Sequence, residues 1–273
     1  MTVSTPDALW SSRSVRLLRP AAVTCERLRS GERRSPAIDG LNLQVGVGAR
    51  LLLVGNPDAA SRILLRMLAG LSRPRGGRYR IAGAVGPDRS ASGWGRRIAY
   101  VGPDPALYPW MSAAETLALS ARLIGLERTE AKRRIDDATV RWGLRNDLDQ
   151  PIRRLGPAYA ERLAMAAALL GDPEVVLLDE PLRSVAPDER VRLLRLRGQR
   201  LTVLLGSLYP ASEAGAVDEV ALIRDGRIAV HAPISALTER GLPLSHRGID
   251  TLAQAVSSRL DMPVRETPRQ ASA

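Results

Sequence analysis

Residues 51–71 read Leu51-Leu52-Leu53-Val54-Gly55-Asn56-Pro57-Asp58-Ala59-Ala60-Ser61-Arg62-Ile63-Leu64-Leu65-Arg66-Met67-Leu68-Ala69-Gly70-Leu71. The unbroken apolar run Leu51 to Val54 has the pattern of a strand buried on both faces. Gly55 opens a tight loop. Beyond it Leu64, Leu65, Met67, Leu68 and Leu71 return at helical spacing, with Arg62 and Arg66 between them. The stretch is a buried strand, a loop and an amphipathic helix, which indicates the α/β class.

Composition sets the frame around it. With 273 residues, 45% of them hydrophobic, the chain can bury a large core and is natural as one domain with a subdomain insertion. The net charge is +11, carried almost entirely by Arg, since Lys132 is the only Lys; Phe is absent. An Arg-for-Lys bias of this kind reads as coding composition, and solubility alone tolerates the charge. The single Cys25 excludes an internal disulfide and favours a reducing compartment. No run approaches about 18 apolar residues and no apolar signal segment opens the chain, so a cytoplasmic protein without a transmembrane segment of its own is expected.

The strand, loop and helix form the frame on which a P-loop cradles a nucleoside triphosphate through G-x-x-x-x-G-K-[ST]. Gly55 opens that pattern, but Ala60, Ser61 and Arg62 stand in the Gly, Lys and Ser/Thr places, and Ile63 follows. No other Lys lies near enough to substitute. Ala60 discourages the positive φ that a Gly adopts freely, and Asp58 places a negative charge beside the amide nest. Arg62 is the remaining cation, one position late. Further on, Gly171-Asp172-Pro173-Glu174-Val175-Val176-Leu177-Leu178-Asp179-Glu180-Pro181 is an apolar strand that delivers two carboxylates at its C-terminal end, where parallel sheets bind ligands.

Together these segments resemble the ATP-binding subunits of ABC transporters, a resemblance that covers residues 21–240. The helix wording around Leu64 to Leu71 and the Asp172 to Pro181 context carry the resemblance. It implies a P-loop NTPase core with an N-terminal antiparallel β subdomain and an inserted helical subdomain. The expected bounds are a flexible tail over 1–19, the ABC ATPase-like domain over 20–240 with the helical subdomain at about 104–155, and a partly disordered extension over 241–273. Strand character at Ala22 to Cys25, Leu41 to Val45 and Arg50 to Val54 fits the β subdomain and the core's first strand. A hairpin around Asp225-Gly226 fits the closing strands.

The resemblance implies ATP and Mg²⁺ as cofactors, with Gly55, Ala60, Ser61, Arg62, Ile63 and Asp179 lining the nucleotide site. Asp179 would hold the metal, and Glu180 would polarise the attacking water. It also exposes losses. Leu28-Arg29-Ser30-Gly31 stands where an aromatic usually stacks on adenine. Pro103 replaces a metal-reaching Gln, and proline neither ligates nor donates. Leu155-Gly156-Pro157-Ala158-Tyr159 replaces the L-S-G-G-Q signature, with Tyr159 expected to crowd the phosphate. Ala186 replaces an Asp that contacts the partner across the dimer, and Leu208 replaces a switch His. The implied partners are a membrane permease subunit and a second, competent ABC ATPase in a heterodimer, with the chain peripheral to the membrane's inner face.

That inventory gives two functional readings: a non-hydrolysing transporter subunit in which Glu180 is vestigial, or a pseudo-enzyme regulator or scaffold away from any transporter. A weak ATPase with an unorthodox loop is a third. The Arg-rich helix Asp188 to Arg197, with Arg190, Arg192, Arg195 and Arg197, reads as a solvated face and not a nucleic-acid patch, because aromatic stacking partners are absent. His231 and His246 have no metal-ligand spacing.

Overall fold

A computed structural model describes residues 20–30, 36–56, 59–86, 94–196, 200–213 and 215–260. The expected tail over 1–19, the loop residue Asp58, Gly31, Arg197 and the end of the chain from 261 lie outside the described residues.

In chain order the elements are β1 (Ala21–Arg29), β2 (Asp39–Gly46), β3 (Arg50–Asn56), α1 (Ala59–Leu68), β4 (Gly76–Ile81), β5 (Ala84–Gly86), α2 (Trp94–Arg97), β6 (Ile98–Val101), α3 (Ala113–Leu123), α4 (Arg128–Arg141), α5 (Pro157–Leu169), β7 (Val175–Asp179), α6 (Pro187–Leu194), β8 (Thr202–Gly206), β9 (Glu219–Arg224), β10 (Arg227–Pro233), α7 (Ser235–Thr238) and α8 (His246–Leu260). They form an antiparallel sheet ordered β2-β1-β4-β5 and a six-stranded sheet ordered β10-β9-β3-β8-β7-β6. In the larger sheet β9, β3, β8, β7 and β6 run parallel, and β10 closes it antiparallel.

The apolar runs explain this sheet. Side chains alternate across a strand. Accordingly Leu51 and Leu53 of β3 enter the core shared with α1 and the small sheet, while Leu52 and Val54 enter the core under α3, α5 and α6. Val175 and Leu177 of β7 divide from Val176 and Leu178 in the same way. All eight are fully buried. Each such side chain contributes about 1.5–3 kcal/mol relative to an exposed one, so strands with no polar residue are required wherever both faces are covered.

The helical region follows from local chemistry. Ser112 caps α3 through a capping box: its Oγ accepts from Glu115 N at 3.1 Å, and Glu115 accepts from Ser112 N at 2.8 Å. Arg134 joins α4 to α5 by donating to Leu170 O at 2.7 Å. Trp142 is buried behind them. The predicted hairpin is present, with φ of +50° at Asp225 and +72° at Gly226, the pair a type I′ turn needs. A Cβ on Gly226 would lie 2.5 Å from Asp39 N, so glycine also lets β2 approach. β10 runs on through Val230 to Pro233, and within the expected extension over 241–273 the last described helix has fifteen residues, with Ile249, Leu252 and Ala253 buried against the sheet.

Candidate functional site

Parallel β3, β8 and β7 end at the same edge, and α1 starts there. Leu53 and Asp179 both pair with Gly206 of β8, so Gly55 and the acidic pair lie at one rim. A Cβ on Gly206 would sit 3.0 Å from Leu65 Cδ1 and 3.6 Å from Ser61 Cβ; its absence lets α1 lie close to the sheet. Ala60 and Ser61 are consequently buried, and Ile63 is half-buried against the same core. Ser61, in the Lys place, packs toward the sheet. Arg62 is partly exposed and reaches across to Asp179.

Asp179 is nearly closed off, with its side chain 3% exposed. Arg62 Nε donates to both its oxygens, at 3.1 Å to Oδ2 and 3.4 Å to Oδ1. Tyr100 donates its hydroxyl to Oδ2 at 3.2 Å. Burial, and then the charge of Asp179, push the Tyr100 phenol above its ordinary value, which keeps it a neutral donor. The sequence reading gave Tyr100 no role at the site. The signal lay in register: Tyr100 pairs with Leu177, and Asp179 is the next residue on that face of β7.

Mg²⁺ does not fit this arrangement. It demands near-octahedral oxygen ligands at about 2.0–2.1 Å, whereas Asp179 is held by a cation and a phenol. The hydroxyl expected on α1 is the Arg62 guanidinium, and Pro103 offers no side-chain ligand. Among the described residues no cluster of three His, Cys, Asp or Glu could hold a metal ion.

Glu180 has φ of +53°, a conformation uncommon outside glycine. Its N–H donates to Gly206 O at 3.0 Å, and its Oε1 accepts from Leu208 N at 2.7 Å. Burial pushes its carboxyl upward, opposed by the Leu208 bond and reinforced by Asp179. His246 at the start of α8 donates Nε2–H to Leu208 O at 3.0 Å, so the residue in the switch-His place is held from both sides. Next to it Ser207 Oγ donates to Glu213 Oε1 at 3.3 Å. A cavity of about 330 Å³ opens here, lined among others by Glu180, Ser207, Arg190 and Glu213.

Arg190 corrects the solvated-face reading of α6. It is buried, with Nε 3.5 Å from Glu213 Oε1, while Arg192 and Arg195 are exposed as expected. The buried Glu213 beneath the helix required a counter-charge. Tyr159 is a second correction. It does not crowd the start of α5: the ring is buried, and its hydroxyl donates to Leu144 O at 2.9 Å inside the helical region. Gly156 is the N-cap of α5 without a side-chain cap, and Pro157 follows within the first turn. Elsewhere Pro103 O accepts from Arg183 at 3.0 Å, and Glu161 accepts from Ser184 N and Oγ at 2.8 and 3.0 Å. In the adenine-platform place, Arg29 is ion-paired with Asp39 at 3.1 Å.

Of the residues singled out from sequence, Arg62 and Asp179 therefore meet directly, Glu180 lies adjacent but turns to Leu208, and Gly55 is the penultimate residue of β3, paired with Ile223 of β9. Ala60, Ser61 and Ile63 serve packing. A profile of the ABC transporter family matches residues 38–183. The chain belongs to the ABC transporter family. It is similar to the diacetylchitobiose uptake system ATP-binding protein MsiK of Streptomyces coelicolor, 32% identical over 201 residues that cover 70% of this chain and 51% of MsiK. It is likewise similar to the taurine import ATP-binding protein TauB of Pseudomonas aeruginosa, 29% identical with 82% of each covered. The chain thus spans about half the length of MsiK and most of TauB. A solved ATP-binding subunit of an ABC transporter superposes with a TM-score of 0.72 at 22% identity, covering 86% of this chain and 99% of that one, which shows the shared fold. In this ABC protein no described helix is long and apolar enough to cross a membrane.

Proposed function

We propose that this chain is a non-hydrolysing ABC transporter subunit, paired with a competent ATPase subunit and docked on a membrane permease at the inner face of the membrane, where it supplies shape and docking. The observation that carries the reading is that both acids of the hydrolytic pair are engaged by the chain itself, Asp179 by Arg62 and Glu180 by the Leu208 backbone. A working site spends those acids on metal and water, and the P-loop Lys clamps the phosphates. Loss of such a clamp removes several kcal/mol of transition-state stabilisation, at about tenfold in rate per 1.36 kcal/mol. The absent Lys, Gln and switch His compound it.

Exposed aromatics favour docking. Tyr108 and Trp110 are 52% and 65% exposed with ring centroids 5.2 Å apart, in the segment between β6 and α3. Exposed aromatics of this kind suit a short amphipathic helix of a partner. The substrates named for MsiK and TauB belong to those proteins.

A second reading, a regulator or scaffold outside any transporter, is favoured by one observation. The start of α5 has neither a signature hydroxyl nor the amide that Pro157 lacks, so both half-sites contributed by this chain are altered. Affinity capture of the chain from its native membranes separates the two. Co-recovery of a permease and a second ATPase supports the transporter reading, and recovery of soluble partners alone supports the regulator.

A further inference from the structure

We propose that Arg62 is a tethered replacement for the divalent cation, and that this site excludes a divalent metal because the guanidinium already holds Asp179. The inference rests on reading β3, α1 and β7 as the nucleotide frame and adds to it what has become of the metal. Arg62 extends from the first turns of α1 and reaches the acid at the end of β7, more than a hundred residues away. The carboxylate is almost fully buried while the arginine side chain is 46% exposed. A buried carboxylate must be neutralised, and one positive charge at hydrogen-bond distance does so.

A divalent ion brought to Asp179 would meet this charge within a few ångströms, and guanidinium offers it no lone pair. Moving the arginine away would leave the buried Asp179 without its described counter-charge. Tyr100 completes the substitution by donating to the same oxygen that Arg62 approaches most closely. The two donors fix the acid in one orientation without a metal. Arginine suits the role better than lysine because its planar charge is weakly hydrated and never deprotonates.

Mn²⁺ serves as the paramagnetic probe, titrated into the full chain with and without β,γ-imido-ATP and read by electron paramagnetic resonance. Wild type is expected to show no protein-held Mn²⁺. Arg62→Thr, and separately Ser61→Lys/Arg62→Thr, which restores the Lys and hydroxyl, are each checked for folding by circular dichroism. At least one is expected to hold Mn²⁺ about tenfold or more tightly than wild type, and adding Asp179→Asn to that variant abolishes the signal. Protein-held Mn²⁺ in wild type that disappears in Asp179→Asn overturns the inference. So does failure of both arginine variants to gain Mn²⁺, whether they fold or not. A chain that binds Mn²⁺ at Asp179 yet hydrolyses nothing would refute this inference alone. ATP turnover without any Mn²⁺ held at Asp179 would refute only the non-hydrolysing reading.

Discussion

Glu180 Oε1 and the backbone N–H of Leu208 are joined by a 2.7 Å hydrogen bond, which ties the acid after β7 to the loop after β8. The family resemblance puts Leu208 in the place of a switch His; its carbonyl accepts in turn from His246 of α8. The bond makes Glu180 part of a fixed network at the sheet's edge.

That network has a pH signature. Burial is the largest influence on Glu180 and holds its carboxyl above the ordinary Glu value of 4.5. The folded chain therefore binds this proton more tightly than the unfolded chain does. Its stabilising contribution is complete below about pH 4.5 and is lost as pH rises through the raised value. Glu180→Gln keeps an acceptor for Leu208 N and has no proton to exchange. The melting temperature of the variant should fall less steeply than wild type over this window; parallel profiles would contradict burial as the dominant influence.

Tyr100 gives the second prediction. Its hydroxyl is one of the two described donors to a buried carboxylate, so Tyr100→Phe should lower unfolding free energy by about 1–2 kcal/mol in urea titration. An unchanged midpoint would mean that Arg62 alone satisfies Asp179.

The third concerns Ala186, the N-cap of α6. Its backbone is extended, φ −55° and ψ 143°, and it provides no side-chain cap. Ala186→Asp places an acceptor over the first-turn amides and should stabilise the fold by about 0.5–1 kcal/mol. Destabilisation instead would show that Asp188 and Glu189 repel the new charge more than the amides attract it.

Much of the architecture was legible because it is written locally. The runs at β3 and β7 can only be strands between two cores, and the Asp225-Gly226 pair dictates its turn. From sequence the site reads as departures from the pattern the resemblance implies, at Ser61, Arg62, Pro103 and Leu208. What replaced those groups was not legible, since Arg62 to Asp179, Tyr100 to Asp179 and His246 to Leu208 join distant segments. Tyr159 and Arg190 were misread for the same reason. Each lies near the start of a helix, where position alone does not say which side faces inward, and buried partners at Leu144 and Glu213 decided it.

Phosphate release from Mg-ATP by the purified chain, beside its Glu180→Gln variant, tests the central claim most directly. The account predicts background release from both, with no dependence on ATP concentration. A saturable rate in wild type that collapses in Glu180→Gln would contradict it.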